Sequence, residues 1–174
     1  MRISLALLLL PLVLLPAPPP ASLSTAGRHF LTYDTRGDGL AVEVLGDLGA
    51  ADRIAVLVPG VDTTLRDFDR GLGGVARRAP AVQARTLYAH LRTADPAAHV
   101  AVVAWLGYDP PEGISLQAAR DARARTGAAA LITFVRALPA QARVTLIGHS
   151  YGALVVGLAA PHLSQATDLV ALGA

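Results

Sequence analysis

Gly148-His149-Ser150-Tyr151-Gly152 is the stretch of this 174-residue chain whose residue types and spacing could do covalent chemistry. The pattern Gly-x-Ser-x-Gly sets a serine on a sharp turn from a strand into a helix. Such a turn brings two backbones close, so glycine stands two places to either side of Ser150. It would lift the Ser150 hydroxyl above the carboxyl edge of a sheet, in a strained conformation retained for function. A plain turn that contains a serine is the bland alternative. A serine that attacks a carbonyl also needs donors for the oxyanion. One is the backbone N–H of Tyr151, at the positive N-terminus of the following helix. A second is expected from Val58-Pro59-Gly60-Val61-Asp62, where Gly60 lets the backbone turn and Val61 supplies the amide. A glycine marking the end of a strand is the other reading of Gly60.

The elements that must hold these residues follow from periodicity. Arg28 to Tyr33 and Leu40 to Leu45 read as strands joined by the polar turn Asp34–Gly39, and so as a hairpin. Arg53–Val58, His99–Trp105, Arg143–Ile147 and Asp168–Leu172 are strands of one character, apolar on both faces, as inside a sheet covered by helices. Helices are expected around Val82, Leu87, Tyr88 and Leu91, ending at Asp95-Pro96. A second runs through Leu131, Phe134, Val135 and Leu138 to Pro139. A third carries Leu154, Val155 and Leu158 and stops before Pro161. The order β-β-β-α-β-α-β-α-β, with right-handed crossovers, predicts an α/β fold. It would be a three-layer α/β/α sandwich with a mainly parallel sheet and an N-terminal antiparallel hairpin.

The order from hairpin to elbow resembles the α/β-hydrolase superfamily. The segments VLVPGVDT, AVVAWLGYDPP and IGHSYG resemble an uncharacterised bacterial branch of it. The resemblance runs from about Arg28 to the last residue and implies that Ser150 is the nucleophile, with Tyr151 and Val61 as oxyanion amides. Members often carry His-Gly-X in the first oxyanion loop, and here Pro59 replaces that histidine. The superfamily orders its triad serine, then Asp or Glu, then histidine. The sequence departs from that pattern, because about six of eight strands are present and no histidine follows the sixth. His29, His90, His99, His149 and His162 all read as ordinary surface or core residues. His149 shares the turn with Ser150 and is poorly placed to orient on its hydroxyl. Asp62 and Asp109 lie on loops at the right edge and are expected to line a pocket. Tyr108 could wall that pocket, whereas Trp105 reads equally as wall or plain core.

Composition narrows the setting. The chain is 53% hydrophobic and 16% charged, enough for one packed domain and too apolar for disorder. All fifteen basic residues are arginine, so a basic pI reflects missing lysine rather than a basic surface, and nucleic acid is not an expected partner. No cysteine is present, which excludes disulfides and thiolate metal sites. No cofactor and no metal are expected. Residues 1–26 read as a signal peptide. Arg2 is its n-region, Ile3–Leu15 its apolar run, and Ser24-Thr25-Ala26 its cleavage site before Gly27. The apolar run falls short of the ~20 residues of a spanning helix, so no stable membrane anchor is expected. An uncleaved anchor or a misplaced start is the alternative.

Several weaker signals read structurally. Asp34 to Leu45 lacks the ligands of a calcium loop and is a hairpin turn. Gly71-Leu72-Gly73-Gly74 lacks the spacing of a dinucleotide fingerprint. Asp121 and Arg125 form an i, i+4 pair on a solvated helix end. The expectation is a secreted or extracytoplasmic serine hydrolase of esterase, lipase or thioesterase type, acting on a small-molecule ester or thioester. Residues 27–174 would be an incomplete domain ending after the sixth strand, inactive without the triad's acid and histidine. The rival expectation is a non-catalytic protein, either a decayed or truncated hydrolase or a binding domain using the old pocket.

Overall fold

The computed structural model describes residues 23–25, 27–113, 122–164 and 166–173. Its sheet has seven strands: β1 (Leu23–Thr25), β2 (Arg28–Asp34), β3 (Leu40–Leu45), β4 (Arg53–Val58), β5 (Val100–Leu106), β6 (Arg143–His149) and β7 (Ala166–Leu172). Their spatial order is β1-β2-β3-β5-β4-β6-β7. The first pairings, from β1 through β3 to β5, are antiparallel. Those of β5 with β4, β4 with β6, and β6 with β7 are parallel. The α/β fold and hairpin expected from periodicity are present, with strand ends within two residues of those read from sequence. Leu23–Thr25 was set aside with the leader, yet it pairs along the free edge of β2. The rest of the expected signal peptide's charged and apolar regions lies outside the described residues.

Helices α1 (Asp67–Arg70), α2 (Pro80–Ala94), α3 (Ala122–Arg136) and α4 (Tyr151–Ala159) complete the sandwich. Side chains of β5 show how both sheet faces are used. Ala101, Val103 and Trp105 pack with Leu131 and Val135 of α3 and Val155 of α4 on one side. Val102, Ala104 and Leu106 meet Phe68 of α1 and Ala81 and Ala84 of α2 on the other. This alternation of fully buried residues is the signature of a strand covered twice. One helix face differs from expectation. In α4 the buried residues are Tyr151, Gly152, Val155, Val156 and Ala159, and Leu154 points to solvent. Small residues at 152 and 159 let this helix lie close on the sheet, which rotates Leu154 outward. Strand β7 is the edge of the described sheet and exposes Leu169, Val170 and Leu172.

Two features of the fold had no sequence signal. Segment 62–79, between β4 and α2, holds α1 and two 3-10 turns, Leu72–Gly74 and Ala76–Arg78, each too short for a period. The second is a charge cluster. Glu43 of β3 is almost fully buried and accepts two hydrogen bonds of 2.7 Å from Arg28. Arg85 of α2 approaches the same carboxylate at 3.3 Å, and both arginines also pair with Asp69. The cluster ties β2, β3, α1 and α2 together. The Asp34 turn is local, with that carboxylate accepting the Arg36 amide at 3.0 Å. Asp121 of the expected Asp121–Arg125 pair lies outside the described residues.

Candidate active site

Strand β6 ends at His149, and α4 begins at Tyr151, leaving Ser150 alone on the turn. Ser150 takes φ 52° and ψ −122°, a left-handed conformation that an L-residue rarely adopts. Its amide donates to Leu172 O at 2.7 Å, so the end of β7 anchors the turn. The flanking glycines are required by close approach. A Cβ on Gly152 would stand 2.3 Å from Val58 O and 2.6 Å from Pro59 O, and one on Gly148 would stand 2.5 Å from Gly152 O. The motif is therefore a true strand–turn–helix elbow, and its serine sits at the carboxyl edge of the parallel strands.

The loop after β4 lies directly against that serine. A Cβ on Gly60 would come within 2.9 Å of both Ser150 Cβ and His149 O. Among the described residues, the amides of Val61 and Tyr151 have no hydrogen-bond partner. Val61 also lines the cleft over Ser150. Two unpaired N–H groups on either side of a half-buried serine suit an oxyanion. Tyr151 contributes this amide alone, because its ring packs into the core and its hydroxyl is buried without a partner among the described residues.

A second loop, after β5, clamps the first. Tyr108 Oη donates to Pro59 O at 2.6 Å. Burial, followed by the nearby Tyr151 and Asp109, raises the Tyr108 pKa far above its ordinary value, so the phenol stays a donor. Asp62 adopts φ 59°, and its amide donates to Pro111 O at 3.0 Å, while its Oδ1 accepts from the Gly113 amide. Hydrogen bonds on both sides of Gly60-Val61 thus fix where the Val61 amide stands.

The cleft over Ser150 has a volume of about 310 Å³. Its walls are Pro59, Gly60, Val61, Thr63, Leu72, Arg78, Gln83 and His149. The four residues expected to line it stand elsewhere. Trp105 is core, stacked on Tyr108 with ring centroids 5.8 Å apart. Tyr108 and Asp62 act behind the wall through the bonds just described. Asp109 is exposed and pairs with Arg123 of α3. Each is turned away because a hydrogen bond or ring partner lies on the far side of its loop. Sequence reasoning missed Thr63, Leu72, Arg78 and Gln83, which reach the cleft from the aperiodic segment and the first turns of α2. A larger apolar trough of about 360 Å³ adjoins the cleft, sharing Pro59, Gln83 and His149 but not Ser150.

No described residue hydrogen-bonds Ser150 Oγ. His149 turns toward the end of β7, with Nε2 3.8 Å from where a Cβ on Gly173 would stand. Among the described residues no group of three His, Asp or Glu side chains could hold a metal, and no helix is long and apolar enough to cross a membrane.

Comparison with known proteins agrees with this architecture. A family model described as alpha/beta hydrolase matches residues 34–174. Uncharacterized protein Rv0963c of Mycobacterium tuberculosis (strain ATCC 25618 / H37Rv) is 32% identical over 156 residues, which cover 84% of this chain and 57% of that protein. Uncharacterized protein Mb0988c of Mycobacterium bovis matches to the same extent. Uncharacterized protein Rv2079 of M. tuberculosis is 34% identical over 155 residues, 83% of this chain and 23% of that longer protein. The chain thus spans a little over half the length of the first relatives it matches. It belongs to the alpha/beta-hydrolase family.

Proposed function

We propose that this alpha/beta hydrolase is an exported serine hydrolase of esterase, lipase or thioesterase type. In this reading Ser150 Oγ attacks the acyl carbon of a small ester or thioester. Its proton passes through a base to the departing oxygen or sulfur, leaving an acyl-enzyme that water then clears. The amides of Val61 and Tyr151 carry the oxyanion in both steps. The observation that carries the reading is the strained backbone of Ser150, beneath a cleft and beside two amides without partners among the described residues. A turn without function has no need of that conformation.

The reading calls for a histidine base oriented by a carboxylate, and no described residue fills that role. Turnover by the described residues is therefore expected to be slow. Oxyanion amides and binding without a triad leave about 10³–10⁴-fold over water. The absence of a partner for Ser150 Oγ also supports a second reading, a non-catalytic domain that binds through the same cleft. A fluorophosphonate probe separates the two. Labelling that disappears in Ser150→Ala supports the hydrolase. Labelling that survives places the nucleophile elsewhere, and no labelling leaves only the binding domain.

A further inference from the structure

We infer that the substrate of this cleft is anionic, an ester carrying a carboxylate or phosphate group that Arg78 receives. The inference rests on the hydrolase reading for its word "ester" but on the cleft itself for its charge. Arg78 is the charged residue in a wall otherwise made of Pro59, Gly60, Val61, Thr63, Leu72, Gln83, His149 and Ser150. Among the described residues its guanidinium has no carboxylate partner, although carboxylates are near in sequence. Each of those is engaged elsewhere. Asp67 accepts the Thr64 hydroxyl at 2.8 Å, and Asp69 pairs with Arg28 and Arg85. Asp62 and Asp109, on the loops at the same sheet edge, hold the Gly113 amide and Arg123. Among the described residues, Arg78 is thus a charge in the cleft wall without a carboxylate partner. Val61, whose amide has no partner among the described residues, lines the same space.

Arg78 is exposed, and its main chain stands on a firmly built turn. Its amide donates to Val75 O at 2.8 Å, and the next amide, of Ala79, donates to Ala76 O at 2.9 Å. Gln83 Nε2, reaching back from α2, donates to Arg77 O at 3.0 Å. Ala79 and Pro80 then bury themselves at the start of α2. The main chain beneath the guanidinium is therefore fixed before a ligand arrives, and less conformational entropy is lost on binding. A planar guanidinium suits carboxylate and phosphate alike, through paired hydrogen bonds.

The test compares mono-4-nitrophenyl glutarate, whose acyl chain ends in a carboxylate, with its neutral methyl ester. The ratio of kcat/KM for the anionic over the neutral ester should exceed one. It should fall about tenfold in Arg78→Gln, recover only in part in Arg78→Lys, and shrink with added salt. A ratio at or below one, or one unchanged in Arg78→Gln, overturns the inference. A binding arm in Ser150→Ala needs no turnover, and uses glutarate and glycerol 3-phosphate as probes. Binding of either that weakens about tenfold in Arg78→Gln supports the inference, and the tighter probe identifies which anion the site takes. Binding indifferent to Arg78 refutes it even if the neutral ester is cleaved. Arg78-dependent binding with no labelling of Ser150 would instead refute the hydrolase reading and leave the anion site standing.

Discussion

Replacing Ser150 by glycine and by alanine separates the strain of the elbow from the chemistry of its hydroxyl. Both substitutions remove Oγ, and only alanine keeps the Cβ that makes φ 52° unfavourable. An L-residue at positive φ in a sparsely populated region is destabilised by about 1–3 kcal/mol. Glycine escapes that term but loses about 0.5–1 kcal/mol more backbone entropy on folding. The difference favours glycine by about 1 kcal/mol. At an ordinary helix or strand position the order is the reverse. Urea unfolding followed by circular dichroism measures the difference directly, with equal m-values required of the two variants. In thermal unfolding it corresponds to about 2–4 °C for a chain of this size. Neither variant should react with a fluorophosphonate. If alanine proves the more stable, Ser150 is not held at positive φ, and the elbow reading loses its main support.

Four further outcomes are open to measurement. Gly60→Val would press a Cβ into Ser150 Cβ and His149 O, each 2.9 Å away, and should lower the rate of probe labelling by about 10²-fold while the fold survives. Arg28→Ala would leave the buried Glu43 carboxylate to Arg85 alone at 3.3 Å. It should lower unfolding stability by about 3 kcal/mol, and the double change with Glu43→Val should recover most of the loss. In the same cluster burial raises the Asp69 pKa, but the guanidinium groups of Arg28 and Arg85 outweigh it, so the net shift is downward from 3.8. Its stabilisation is therefore present above that value and is lost as pH falls through the lowered one. Because this carboxylate is half exposed, the difference between wild type and Asp69→Asn should stay below about 1 kcal/mol and vanish in strong acid. N-terminal sequencing of protein recovered outside the cytoplasm should begin at or near Gly27, and protein retaining Met1 in the membrane would refute export. Cleavage there removes β1, so β2 would then form the sheet edge.

Legibility of this fold followed period and punctuation. Strands such as Arg53–Val58 and Arg143–Ile147 are continuous apolar runs closed by glycine or proline, and a run of that length has few places to go but the middle of a sheet. The elbow was legible for a different reason: two glycines at fixed distances from a serine are a backbone requirement written directly in residue type. The walls of the cleft were not legible. Leu72, Arg78 and Gln83 reach Ser150 from a segment of single-turn helices, where no period predicts which side chain points inward. Asp62 and Tyr108 were expected to line the pocket, and both instead hold the loops behind its wall. A loop residue's partner depends on where a second loop stands, and sequence does not place two loops relative to each other. Glu43 was invisible too, because one charged residue in a strand reads as an outward position until an arginine from a neighbouring strand is seen to cover it.

Nucleophile and oxyanion donors are coupled here through backbone rather than side chains. Gly152 is pressed against the carbonyls of Val58 and Pro59, and Gly60 is pressed against Ser150. The start of α4 and the end of β4 therefore share one contact surface, with no side chain between them to adjust. The amide of Tyr151 belongs to one of these elements and the amide of Val61 to the other. Their separation is consequently set by the parallel pairing of β4 with β6, whose register continues to Val58 and Gly148. The outer side of the loop is set by the β5 exit, through Tyr108 Oη on Pro59 O and Asp62 on Pro111 and Gly113. Such a site has its donors in place before any substrate arrives, which is the condition under which fixed dipoles stabilise a developing charge without reorganising.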